Sequence, residues 1–76
     1  MSLYYIEIKK PNGMKNYYGV KNTEVFPSKG KVDEEDAAAA YKDKVSAAES
    51  VEQTKKHCED LGILVSEGAV VEFEAQ

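Results

Sequence analysis

Hydrophobic and polar residues alternate from Leu3 to Lys21 on either side of Pro11-Asn12-Gly13. This pattern predicts a β-hairpin. Proline presets φ at the first turn position, and glycine takes the positive-φ position that other residues resist. A type I turn ending in a glycine bulge makes a three-residue loop. Lys10 then faces Met14, and the pairing runs back as Lys9 with Lys15, Ile8 with Asn16, Glu7 with Tyr17, Ile6 with Tyr18, Tyr5 with Gly19 and Tyr4 with Val20. Side chains alternate between the two sides of a strand. One face therefore carries Tyr4, Ile6, Ile8, Asn16, Tyr18 and Val20, and the other carries Tyr5, Glu7, Lys9, Lys15, Tyr17 and Lys21. Both strands agree on which face is apolar, and a slip of one residue destroys that agreement. The first face is expected to be the core and the second to be open.

Beyond the hairpin, Val25 and Phe26 are expected to anchor the connector or to form a short edge strand that Pro27 ends. Ser28 to Lys31 reads as loop. Asp33 is a good helix N-cap, with Val32 and Ala37 placed for a hydrophobic staple. One helix from Asp33 to Asp60 would span about 42 Å at 1.5 Å per residue, too long for so small a core. Its apolar positions, Tyr41, Val45, Ala48, Val51, Cys58 and Leu61, also drift around the axis. Ser46-Ala47-Ala48-Glu49 and Ser50-Val51-Glu52-Gln53 each match a capping box. The sequence thus predicts helices at about 33–44 and 46–61, or one bent helix, stopped by Gly62. Ile63 to Val65 reads as a short strand or a buried connector. Residues 69–75 alternate as a strand, with Val71, Phe73 and Ala75 on one face and Val70, Glu72 and Glu74 on the other. Val71 and Phe73 are expected in the core with Ile6, Ile8, Val51 and Cys58.

The implied fold class is α+β, a single small domain over residues 1–76. It has an N-terminal antiparallel β-hairpin, two helices (or one bent helix) on one face, and a C-terminal strand in the same small sheet. With about three strands, the second face stays free for solvent or a partner.

Composition and charge adjust this picture. The chain is 42% hydrophobic and 32% charged, as a globular domain requires. Its single cysteine, Cys58, can form no intrachain disulfide, which points to a reducing, cytoplasmic setting. No stretch approaches the ~18 apolar residues of a membrane span, so no membrane partner is expected. Residues 1–31 hold six lysines against two glutamates, a net +4, and residues 32–76 hold four lysines against twelve acids, a net −8. All ten cations are lysines. Arginine, the usual reader of guanine edges and the usual clamp on phosphate, is missing.

Three clusters carry candidate chemistry. On the expected open face, Tyr5, Lys9, Lys15, Tyr17 and Lys21 form a candidate partner-binding set. Tyrosines interleaved with lysines suit an acidic protein segment, a second copy of the chain, or stacked bases of single-stranded nucleic acid. Tyrosine is also a common strand residue, and lysine keeps sheet edges soluble. The run Asp33-Glu34-Glu35-Asp36 is explained by the positive end of a helix dipole and lacks the spacing of a calcium loop. His57 and Cys58 are neighbours on a helix and point about 100° apart, so they form no nucleophile–base pair. Cys58 is expected to be a small core residue. The chain carries no phosphate-binding loop, dinucleotide fingerprint, zinc spacing or nucleophile elbow. The expectation is a non-enzymatic module with no catalytic set, metal or cofactor, binding an unknown protein or a second copy of itself. Single-stranded nucleic acid is the alternative partner.

Overall fold

The computed structural model describes residues 2–75. Strands β1 (Ser2–Lys9) and β2 (Lys15–Tyr18) form the hairpin. Its turn closes as the residues dictate. Gly13 has φ 87°, the Lys10 N–H donates to the Met14 carbonyl at 2.8 Å, and the Gly13 N–H donates to the Lys10 carbonyl at 2.9 Å. The register pairs Ile6 with Tyr18, Glu7 with Tyr17, Ile8 with Asn16 and Lys9 with Lys15, as the alternation predicts.

The register ends earlier than expected. β2 stops at Tyr18, so Tyr5 does not pair with Gly19, nor Tyr4 with Val20. Val20–Asn22 is a 3-10 turn in which Lys21 and Asn22 adopt φ of 55° and 57°. Tyr4 is bridged instead by Tyr41, whose N–H donates to the Tyr4 carbonyl at 2.9 Å. The Ala39–Tyr41 segment takes the place of β2 here, and only glycine at position 19 leaves it room. A Cβ on Gly19 would lie 2.0 Å from the Ala39 carbonyl oxygen.

Among the described residues five strands, rather than about three, make one sheet in the order β3-β2-β1-β5-β4. Of the two readings of the connector, the edge strand forms, but as β3 (Glu24–Val25) without Phe26, and β4 (Lys31–Val32), where Lys31 read as loop, joins at the opposite edge. β5 (Glu67–Ala75) runs antiparallel to β1 from Ser2–Glu74 to Lys9–Glu67. β4 runs parallel to β5 but meets only Glu74 and Ala75.

Two helices form, with boundaries that differ from the expected ones. α1 (Glu34–Ala37) is a single turn capped by Asp33, whose carboxylate accepts the Asp36 N–H at 2.8 Å. α2 (Lys44–Asp60) is capped by Asp43, which accepts the Ser46 N–H at 2.7 Å. Ser46 and Ser50 therefore lie inside α2 and do not begin it. Gly62, at φ 83°, ends α2. Its N–H reaches the Glu59 carbonyl while the Ile63 N–H reaches that of Cys58, the paired bonds of a glycine-terminated helix. Ile63 to Val65 is a connector with Ile63 and Val65 half-buried on the core, not a strand.

The sheet buries apolar side chains on both faces. Ile6, Ile8 and Tyr18 pack with Ala47 and Cys58 of α2, and Val51 and Val70 lie against them. Ala47, Val51, Thr54 and Cys58 recur at three and four residues, which puts them on one side of α2. Val45 falls off that stripe, Leu61 lies past the last turn of α2, and both are exposed. On the other face Leu3, Tyr5, Val25 and Val32 are buried, with Ala37, Ala39, Ala40, Val71 and Phe73 packed on them. Strand alternation places Leu3 and Tyr5 opposite in sense to Ile6 and Ile8. α1 and the alanines after it thus cover the second face, while α2 covers the first. Two expectations are corrected here. Val71 and Phe73 pack on the second core and Val70 on the first, the reverse of the expected sides. Val20, expected in the core, is exposed because the chain has already turned away.

Candidate functional site

Tyr5 is the main correction to the candidate partner-binding set. It has no exposed surface. Its hydroxyl donates to the Asp36 carbonyl of α1 at 2.6 Å, and its ring packs on Phe73 with centroids 5.9 Å apart. Burial first, then the negative charges of Asp36 and Asp33, push its phenol up to about 12. Tyr5 is a core residue under its own chain and cannot meet a partner. Lys21 also leaves the set, since it stands in the turn after β2 and not on the hairpin face.

Lys9, Lys15 and Tyr17 remain together on the uncovered part of the second face, around Glu7. The Lys15 ammonium lies 3.9 Å from the Glu7 carboxylate, and Lys9 lies 3.9 Å from Glu67 of β5. Both pairs are loose, and although Glu7 is partly buried the lysines reach solvent, so they add little to stability yet offset part of the positive charge. Tyr17 is half-buried. Burial, followed by the charge of Glu7 and a hydrogen bond to it, raises its phenol above the ordinary value. Its ring stands edge-on to Phe73 at 5.3 Å. The Phe73 ring thus braces one side of Tyr17.

Phe26 extends this surface, and its role was not evident from the sequence. It is 75% exposed. Its backbone N–H donates to the Asp36 carboxylate at 3.1 Å, so the acidic turn α1 fixes the residue that follows β3. Tyr17, Phe26, Pro27 and Lys15 line one hollow of about 180 Å³. Tyr17 and Phe26 thus make a small aromatic shelf at the β2–β3 edge, with Phe73 packed against Tyr17. Adjacent residues at a strand end cannot both face the core. That rule was the available signal that either Val25 or Phe26 had to be exposed.

A second apolar surface lies where the hairpin turn meets the end of α2. Pro11, Gly62, Ile63 and Leu64 line two adjoining clefts of about 400 and 380 Å³. Leu61 and Leu64 are 64% and 74% exposed.

The remaining candidates have structural roles. Asp33 caps α1, and Asp36 anchors Phe26 and Tyr5. Cys58 is fully buried, the core residue its place on the α2 stripe predicts. The Tyr18 phenol is pushed up to about 12 by burial first and by its hydrogen bond with Cys58 second. His57 stands edge-on to the Tyr18 ring at 6.3 Å. Among the described residues, no helix is long and apolar enough to cross a membrane. Comparison of the chain with protein-family models, curated proteins and solved structures finds no significant match.

Proposed function

We propose that this chain is a small non-enzymatic binding module that works by contact with another protein, in a cytoplasmic setting. The observation that carries the reading is the aromatic shelf. Phe26 is exposed on a backbone pinned by Asp36, beside a Tyr17 ring that is half-buried and braced by Phe73. Large aromatic groups held in place before contact lose little conformational freedom on binding, and they dominate the energy of protein interfaces. The loose Lys15–Glu7 and Lys9–Glu67 pairs suit the polar rim that surrounds such anchors. The alternative, single-stranded nucleic acid, rests on Tyr17, Lys9 and Lys15 alone, because Tyr5 is buried and both lysines stand beside glutamates.

The test is capture of host proteins by the wild-type chain and by a Tyr17→Ala, Phe26→Ala variant. The variant should stay folded by circular dichroism, because neither residue is fully buried. It should lose the captured partner, with affinity falling by roughly 2 kcal/mol or more if these two are the anchors. Binding should change little between about 50 and 200 mM salt, whereas a phosphate partner would be lost steeply over that range. Full capture by the variant, or capture of nucleic acid with steep salt dependence, contradicts the proposal.

A further inference from the structure

The two edges of the sheet are finished differently. At one edge β3 is two residues long and is followed closely by Pro27, the usual ways of blunting an edge. At the other, β4 covers only Glu74 and Ala75 of the nine-residue β5. The stretch from Glu67 to Phe73 has no strand on that side among the described residues. It contains no proline and no lysine. Its register with β1 runs one to one, without a bulge.

The direction of its backbone groups follows from one bond. The Glu74 N–H donates outward, to the Gly30 carbonyl just before β4, at 3.2 Å. Along a strand, successive residues turn their N–H and C=O groups to opposite edges. Gly68, Val70 and Glu72 therefore present theirs to the same outer edge as Glu74, and Ala69, Val71 and Phe73 present theirs to β1.

We infer that this edge pairs with the same edge of a second copy of the chain, antiparallel, about a twofold axis through Val70. The inference rests on the binding-module reading but uses a different surface from the aromatic shelf. The uncovered stretch is centred on Val70, and Val70 is one of the residues whose N–H and C=O face outward. Val70 of each copy then exchanges both bonds with its counterpart, and Gly68 does the same with Glu72 of the other copy. Ala69 stands opposite Val71, so apolar joins apolar in the middle. No glutamate stands opposite a glutamate in this register, since Glu72 meets glycine and Glu67 meets Phe73. The bend at Ser66 and the presence of β4 beyond Phe73 confine the pairing to about these residues. The axis is perpendicular to the sheet, so the two α2 helices lie on the same side. The interface is short, which makes the dimer weak and concentration-dependent.

The experiment is sedimentation equilibrium of the wild-type chain and of Glu72→Pro over a wide concentration range. Glu72 is exposed and its N–H points outward, so proline removes a bond to the second copy and none to β1. The wild type should pass from monomer to dimer. The variant should keep its circular dichroism spectrum and raise the dissociation constant at least about tenfold. Each copy carries net charge −4, so added salt should strengthen the dimer by screening repulsion. A spin label at Glu67→Cys should report a backbone separation of about 20 Å, six residues at 3.4 Å each. The native Cys58 is buried and protected from the label. A wild-type chain that stays monomeric at every concentration overturns the inference, as does a dimer that Glu72→Pro leaves unchanged. Either result leaves the Tyr17 and Phe26 test of the binding reading standing on its own.

Discussion

An alanine at position 19 would put its methyl carbon 2.0 Å from the Ala39 carbonyl oxygen. The backbone of Gly19 is extended, at φ −100°, so close approach and not φ requires glycine here. Gly19→Ala should cost roughly 1–3 kcal/mol, the usual range for overpacking, read as a lower urea midpoint. An unchanged midpoint would mean that Ala39 does not cross β2 there. Tyr5 and Tyr18 make a second residue-scale prediction. Both phenols are pushed from 10.0 to about 12, chiefly by burial. The unfolded chain ionises them near the lower value, so it gives up protons first as pH rises. Stability from these two groups is therefore full below pH 10 and is lost progressively towards pH 12. Near-ultraviolet phenolate absorbance should show two tyrosines ionising only as the fold is lost. Ionisation of every tyrosine near pH 10 with the fold intact would contradict their burial. The buried place of Tyr5 was illegible in sequence, because alternation assigns a side chain to a face but does not say whether that face is covered.

At the scale of elements, the hairpin was legible because two independent signals coincide. The Pro-Asn-Gly turn sets the register, and the apolar alternation of both strands agrees with it. The two-helix division was legible too, but not its position. The break spans residues 38–43 because the chain must cross from the second face to the first, and Tyr41 pairs with Tyr4 on the way. No local pattern announces that crossing, and two serine capping boxes pointed further along the chain. The cap that forms is Asp43, whose carboxyl is held below its usual value by hydrogen bonds from Ser46. Asp43→Ala should lower the urea midpoint, and Asp43→Asn, which keeps the accepting oxygen, should recover most of the loss. The charged cap is present at neutral pH and is lost as pH falls through its lowered value, so the gap between wild type and Asp43→Ala should close in acid. A gap that persists undiminished in acid would place the cap elsewhere. The sides of β5 were reversed for a related reason. Val71, Phe73 and Ala75 looked like the only apolar side of that strand, but the sheet has two cores and Val70 alone serves the first.

For the molecule as a whole, the sequence showed an α+β class, a shared sheet and a basic half joined to an acidic one. It did not show that β3, β4 and the alanines after α1 would close most of the second face. These are two-residue strands and a one-turn helix, too short to give a periodic signal. Closing that face removes Tyr5 from reach and leaves exposed the shelf of Tyr17 and Phe26, the clefts beside Leu64 and the outer edge of β5. Along that edge β5 is bonded on one side only over Glu67 to Phe73 among the described residues, and the inferred second copy would complete it.

Residue-resolved amide exchange at two protein concentrations tests that claim most directly. In dilute solution Ala69, Val71 and Phe73, bonded to β1, should exchange slowly, while Gly68, Val70 and Glu72 exchange fast. In concentrated solution all six should be slow. Uniform protection in dilute solution, or fast exchange of Gly68, Val70 and Glu72 at every concentration, would contradict it.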